Sequence, residues 1–503
     1  MTISVRHRLY VAWDGTNYTE ETNYLISAQG DVRYVTPYSS LVSGAGITDQ
    51  MVLTLDNSTG RFSPLNTSGA LYANISSGGM YMRPVRLDVS TNGGTNYYRV
   101  FTGVLKLPGA QSPTWQETSI VTLDARSRDE LLLNRRQSTP QATFAADVDA
   151  LRTEDDIIES YITQTGNGFT SGDLDLDTGL IQIPYPWMDD ESILEEMWLI
   201  AAACGGRFFA AYDGTFRYES MAAWQIESAS TTSQQTYGAT GESSFQRVEF
   251  RYDDTDLYNE ITIEASPRII GGIDVIWESE SLTTVKPGQT QTVTAKFDAP
   301  AYSITGLESA ARDAAGNNVT SSVTVTPTYY AQRATLSIAN AGAQAAYLTK
   351  LRILGRPIVG APDQEATKTS ATHGANSAYF SGRINRNRRV SGNPYVQTIQ
   401  QAEMLAQRIL DLSEYPRLQF TLMGCVGNPQ RRLGDRITID HTAIAGFITS
   451  TLEAYIVGIR WNLDNQGFTQ DVESVQASSI FKHDNDYFIV NSHAANGTRK
   501  LFY

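Results

Sequence analysis

The chain is poor in the residues that most often carry chemistry. Its 503 residues include two cysteines, Cys204 and Cys425, and five histidines, His7, His373, His441, His483 and His493. Two cysteines cannot make a metal site alone, and sequence does not decide whether they pair. The histidines are scattered, none at a zinc spacing and none beside a cysteine. No zincin helix, nucleophile elbow, phosphate loop or dinucleotide fingerprint occurs. Charged residues are 18 % of the chain, against roughly a quarter in a typical soluble protein. No run approaches the ~18 apolar residues of a membrane helix, and the N-terminus lacks a signal-peptide core, so the expectation is a protein made and folded in cytosol. Basic residues are also in deficit, giving a formal net charge of −15. Phosphate neutralisation needs clustered Lys and Arg, so a nucleic-acid-binding surface is disfavoured. DNA as a passing cargo is compatible with an acidic wall that repels it, and the same charge also serves solubility.

What is present is Gly (39), Tyr (26) and abundant Thr and Val, the composition of half-buried strands joined by turns. At about 100 to 200 residues per domain, the length accommodates three or four domains. The expected fold class is mainly β with a small α+β domain.

Residues 1–137 alternate in short runs, among them Leu9–Trp13, Met51–Leu55, Val85–Val89, Tyr97–Leu105 and Ser119–Ala125, with turn signals at Asp14-Gly15, Gly78-Gly79 and Asn92-Gly93. They predict a β-barrel or sandwich. Residues 138–245 predict a small α+β domain with helices over Glu154–Thr163, behind a capping box of Thr153 and Asp156, and from Ser192, boxed with Glu195, to Gly205-Gly206. A strand Leu180–Ile183 and a hairpin Arg207–Ala211 and Thr215–Glu219 complete it. Residues 246–269 and 388–482 predict a second β domain, with a strand pair Val248–Tyr252 and Glu260–Glu264 and a helix Val396–Leu412. Within it, residues 270–387 read as an inserted β-sandwich and linker, and residues 483–503 as an extension that needs a partner for order.

Three groups invite a functional reading. Asp173, Asp175 and Asp177 resemble a calcium loop, but Pro184 stands where the bidentate acid belongs, so an acidic loop is preferred. Asp253, Asp254 and Asp256 form either a carboxylate cluster or a hairpin turn, and the turn is preferred. Trp277 with Tyr329-Tyr330 could present a glycan-binding face, whereas Trp13, Trp115, Trp187, Trp198 and Trp461 sit in apolar periodic segments and are expected in cores. No catalytic, cofactor-binding or metal residue is assigned. A glycosidase needs only two acids, so a cell-wall hydrolase stays open beside a glycan-binding adhesin.

The order of motifs adds a resemblance. Met82-Arg83-Pro84-Val85-Arg86-Leu87-Asp88, then Tyr98-Arg99-Val100-Phe101-Thr102-Gly103 and Val121-Thr122-Leu123-Asp124-Ala125 before Glu130-Leu131-Leu132-Leu133, are similar to the first barrel of tail hub proteins of tailed bacteriophages. Ile193-Leu194-Glu195 through Gly205-Gly206-Arg207-Phe208-Phe209 and Asp213-Gly214-Thr215-Phe216-Arg217-Tyr218 resemble the helix and hairpin of their second domain. Tyr252-Asp253-Asp254-Thr255-Asp256, Asn259-Glu260-Ile261-Thr262 and Leu433-Gly434-Asp435-Arg436-Ile437-Thr438-Ile439 extend the likeness. It implies a virion structural protein, a baseplate hub or minor tail protein, with two tube-like β-barrels per subunit. It further implies a homotrimer between the tail tube or distal tail protein and the tail-tip or fibre proteins, lining the conduit through which DNA passes at genome ejection. The inserted sandwich would face outward, toward neighbours or a host surface glycan in host cell attachment. Relatives often continue into a lysozyme, peptidase or receptor-binding region, and the sequence ending at Tyr503 carries none, so no enzymatic activity is expected.

Overall fold

In Ile120–Ser127 the residues Val121, Leu123, Ala125 and Ser127 are buried and those between them exposed, the period of a strand with one dry and one wet face. The same rule organises most of the chain. The computed structural model describes residues 4–34, 46–106, 119–238, 244–253, 257–281, 283–371, 386–415, 417–440, 451–477, 487–488 and 500–501. His373, His441, His483, His493, Trp115, Asp254, Asp256 and most of the C-terminal extension lie outside the described residues.

One thirteen-stranded sheet is built from strands of residues 6–127 and residues 236–476. Its order is Arg247–Asp253, Arg417–Val426, Gly467–Gln476, Leu452–Asp464, Leu25–Tyr34, Ile47–Asp56, Ile120–Ser127, Tyr98–Leu105, Pro84–Ser90, Arg6–Val11 and Thr19–Glu20, with Arg436–Ile439 and Thr236–Tyr237 added beside Leu452–Asp464. The chain is therefore mainly β, as composition led us to expect. Among the described residues no sheet closes on itself, so the two expected barrels take the form of two wings of one open sheet. The wings share one core, in which Leu9, Leu53, Phe101 and Leu123 from the N-terminal wing join Phe420, Ile456, Trp461 and Val472 from the C-terminal wing.

The strand that fuses the wings, Leu25–Tyr34, was not marked by the sequence. It pairs antiparallel with Leu452–Asp464, Arg33 opposite Gly458 and Gly30 opposite Trp461. A Cβ on Gly30 would fall 2.1 Å from Trp461 Cε2. Glycine here lets the indole lie flat on the backbone.

The small α+β unit has its predicted helices at Glu154–Ile162 and Ile193–Ala203 and its hairpin at Arg207–Ala210 and Phe216–Glu219. Three details differ. Thr153 bonds the Asp155 and Asp156 carboxylates and does not cap the helix backbone. A third helix, Gln141–Ala150, is present, its buried positions Phe144, Asp147 and Val148 too sparse to show as an apolar stripe. The strand expected at Leu180–Ile183 is instead Leu174–Leu176, which pairs parallel with Phe216–Glu219. The helix Ile399–Ser413, capped by Thr398, packs Leu405, Ala406 and Ile409 into the core of this unit.

The expected hairpin across residues 253–256 does not form. Arg247–Asp253 lies at the edge of the long sheet, and Glu260–Ala265 belongs to a separate sheet with Gln364–Thr369 and Asn387–Val390. The insert is a sandwich of a five-stranded sheet around Ala346–Gly360 and a three-stranded sheet, Thr290–Lys296, Arg333–Asn340 and Val323–Tyr329, over a core that includes Phe297, Leu336 and Ile353.

Candidate wet face and wing junction

Because the wings share one ladder, residues from distant segments line up in rows across the exposed face. Asp471, Arg460, Asp31, Gln50 and Arg126 are successive cross-strand partners, and so are Thr469, Asn462, Gln29, Val52 and Asp124. A third row runs Glu249, Thr421, Glu473, Gly458 and Arg33. The five carboxylates among them, Asp31, Asp124, Glu249, Asp471 and Glu473, outnumber Arg33, Arg126 and Arg460. The guanidiniums are engaged: Arg33 Nη2 lies 2.8 Å from Asp31 Oδ2 and 3.6 Å from Glu473, Arg460 Nη2 lies 3.5 Å from Asp31, and Arg126 Nη1 lies 2.9 Å from Glu130. A face whose cations already have carboxylate partners offers phosphate little counterion-release gain.

The opposite face of the fusing strands is plugged by the small α+β unit. Trp224 stacks on Tyr455, with centroids 5.0 Å apart and planes at 17°, and packs against Tyr34 at 5.6 Å with the planes tilted by 52°. The Arg207 guanidinium lies 4.2 Å from the Tyr34 centroid and 4.7 Å from that of Trp224. Its Nη1 is 3.3 Å from Glu219 Oε2, its cross-strand partner in the hairpin. The Tyr34 hydroxyl donates to the same carboxylate at 3.2 Å. Burial raises the Glu219 pKa, opposed by Arg207 and Arg217.

Beside this stack is a cavity of about 200 Å³ bordered by Asp49, Tyr212, Glu227, Arg431 and Trp461. Burial pushes the Glu227 carboxyl up to about 7 in spite of Arg217. Asp129, behind the same wall, is also pushed by burial to about 7, with Ser127 as hydroxyl donor at 3.1 Å. Arg432 stacks 3.5 Å from the Tyr212 centroid and donates to the Arg99 carbonyl at 3.0 Å, tying the two wings.

The residues singled out by sequence go elsewhere. Asp173 pairs with Arg128 at 2.9 Å, Asp175 with Arg217 at 2.9 Å, and Asp177 accepts the Ser220 backbone N–H at 2.9 Å. Three acids with three separate partners do not converge on an ion. Among the described residues no group of three His, Cys, Asp or Glu side chains could hold a metal. Asp253 ends its edge strand. Trp277 and Tyr329 pack partly buried against the sandwich core, while Tyr330 bridges to Pro140 of the small unit. Cys204 and Cys425 are buried and free. Of the tryptophans expected in cores, Trp13 and Trp461 are buried, and Trp187 and Trp198 are half-buried. Sequence reasoning missed Tyr34, Trp224 and the pair Arg207 and Glu219. Only the last left a signal, since counting back from the Asp213-Gly214 turn sets Arg207 opposite Glu219.

No family model matches the chain, and no curated protein matches it. Among described helices none is long and apolar enough to cross a membrane. Three solved structures resemble the chain over nearly its whole length. A tail protein from Neisseria meningitidis MC58 is 10% identical, with 96% of this chain and 99% of that one covered and a TM-score of 0.48. The 43 kDa tail protein of prophage MuSo2 from Shewanella oneidensis is 13% identical, with coverage of 94% and 99% and a TM-score of 0.45. Prophage tail protein gp18 from Listeria monocytogenes EGD-e is 10% identical, with coverage of 93% and 94% and a TM-score of 0.43. All three are described as tail proteins, two of them as prophage proteins.

Proposed function

We propose that the chain is a structural subunit of a phage tail, a hub at the tail tip that joins the tube to the tip proteins and forms part of the wall past which DNA leaves. The observation that carries this reading is the single sheet that unites the N-terminal and C-terminal wings, with a wet face at the seam on which Arg33 and Arg460 are each paired to a carboxylate of another strand. Such a wall neither binds a polyanion nor breaks at the wing boundary. Two wings per subunit would supply six sheet segments from three copies. The small α+β unit then acts as a plug that sets the angle between wings, and the sandwich, held on the Gln141–Ala150 side by the Gln141 bond to the Tyr302 carbonyl at 2.8 Å and by Tyr302 to Asp149 at 2.8 Å, projects toward neighbours or host. Catalysis has no part in this reading.

Imaging of particles that carry a tagged copy tests the proposal. Three copies at the tail tip are expected, and six or more would overturn it. A zymogram on host peptidoglycan gives a second route, since a cleared band abolished by changing one Asp or Glu would replace the structural reading with a hydrolase.

A further inference from the structure

The three-stranded sheet of the sandwich has one dry face and one wet one. Val293, Leu336 and Val325 face the sandwich core. On the other face Thr290, Thr292 and Thr294 of one outer strand and Thr324, Thr326 and Thr328 of the other are exposed. The middle strand sets the half-buried Ala339, Ser337 and Thr335 between them. The ladders hold these residues in register: Thr292, Ser337 and Thr326 stand abreast, with the row of Thr290, Ala339 and Thr324 on one side and that of Thr294, Thr335 and Thr328 on the other. Eight of the nine positions therefore carry a hydroxyl. None carries a charge or a ring, and the next row, Lys296 opposite Arg333, has both cations paired with Asp189. Among the described residues none of the eight hydroxyls is hydrogen-bonded to another group of the chain.

Strand preference does not require this array. Val, Ile and Tyr serve a strand as well as Thr does, and the wet face of the long sheet is kept wet by charges such as Asp31, Arg33, Arg126 and Glu473. On the sandwich, hydroxyls alone do so. Each can donate one hydrogen bond and accept two. Threonine is stiff at χ1, so holding these groups against a ligand costs little side-chain entropy. In a sheet they recur at about 4.8 Å from strand to strand and about 6.8 Å along a strand, a repeating array that suits a repeating ligand. A charged partner would be met by opposite charges. A protein partner would be met by Tyr, Trp, Phe, Met or Arg, which fill interface cores where Ser and Ala are depleted. What fits is an uncharged molecule that presents hydroxyls of its own in sequence.

We propose that this face binds an uncharged polysaccharide, its sugar hydroxyls exchanging hydrogen bonds with the rows on either side of Ser337. The site lies on the opposite side of the sheet from Tyr329, which packs against the sandwich core. The inference rests on the reading of the sandwich as the outward part of the subunit, and it gives that part a glycan as its partner.

Native gels cast with a soluble polysaccharide, run on the full chain, decide it. Dextran, mannan and galactan are the uncharged probes, and polygalacturonate is the charged control. Retardation by at least one uncharged polymer, and none by polygalacturonate, is expected. Thr292→Val with Thr326→Val keeps the branched shape and removes two hydroxyls from the middle row, and should lower the apparent association constant about tenfold. Thr292→Ser with Thr326→Ser keeps the hydroxyls and should retain most of the binding. An unchanged thermal transition shows that both variants are folded. The proposal is overturned by no retardation in all three uncharged gels, by equal retardation in polygalacturonate, by a valine pair that binds as the parent does, or by a serine pair that binds as weakly as the valine pair. Self-association that the valine pair abolishes would assign the face to a second copy and overturn it too. The number of copies at the tail tip is read separately by imaging, so failure here leaves the hub reading standing.

Discussion

Replacing Gly30 by alanine should loosen the seam between the wings, and should add little further cost in a chain where Trp461 is already alanine. The added methyl would need to sit 2.1 Å from Cε2 and 2.2 Å from Cζ2 of an indole that is 3% exposed and has Phe468 6.1 Å away. Overpacking of this kind costs about 1–3 kcal/mol, and an overlap with a rigid buried ring belongs at the upper end. Trp461→Ala alone removes the ring and leaves a cavity, at about 3–5 kcal/mol. In the double variant the methyl enters that cavity, so the total should lie close to Trp461→Ala alone, a coupling of about 2–3 kcal/mol. Urea unfolding gives the totals, and hydrogen exchange at Leu25–Tyr34 and Leu452–Asp464 reports the seam itself. Additive single costs would refute the reasoning, as would a Gly30→Ala chain with unaltered exchange in both strands.

Four further outcomes follow from the junction and the core. Burial holds the folded Asp129 carboxyl at about 7, above the ordinary 3.8 of an aspartate, so its protonation favours the fold; that contribution is full below about pH 4 and lost as pH rises through 7. Asp129→Asn should therefore stabilise the fold at pH 8 by on the order of 1 kcal/mol, seen as a higher melting temperature, and do little at pH 4, in paired thermal scans. Arg207→Ala leaves Glu219 with Arg217 as its remaining cation and removes the guanidinium from the Tyr34 and Trp224 rings, a loss of about 3 kcal/mol by denaturant titration. Cys204 and Cys425, both buried with thiols raised by burial, the second to about 12, should resist a thiol reagent in the folded chain and react fully in denaturant. Calcium at millimolar levels should leave the melting temperature unmoved, because Asp173, Asp175 and Asp177 are committed to Arg128, Arg217 and Ser220.

Elements with strong periodicity and punctuation were legible in the sequence. The helices Ile193–Ala203 and Ile399–Ser413 carry apolar residues at spacings of three and four behind Ser192 and Thr398. The hairpin around Asp213-Gly214 needs a residue at positive φ, and Gly214 has φ +95°. What was illegible depended on distant partners. Leu25–Tyr34 carries Ala28 and Gly30 toward the core because Trp461 fills the space, and small residues in a strand look like a loop until the indole is known. Asp173 to Asp177 contain a strand, and the alternation of Asp with Leu174 and Leu176 that suggested a calcium loop is the period of that strand. The junction drew Tyr34, Arg207, Glu219 and Trp224 from separate segments, and one sequence holds no record of which side chains will stack.

The seam also governs when the molecule can become whole. Leu25–Tyr34 is completed early in synthesis, yet the strand that pairs with it, Leu452–Asp464, is made more than four hundred residues later. At about 5–20 residues per second, the growing chain carries that strand without its final neighbour for roughly 20–80 s. During this wait the N-terminal wing has an open flank with alternating apolar residues, the kind of surface on which nascent chains associate. Slower translation lengthens the exposure, so soluble yield should fall when codons between the two strands are made rare and should recover when chaperones that hold extended segments are abundant.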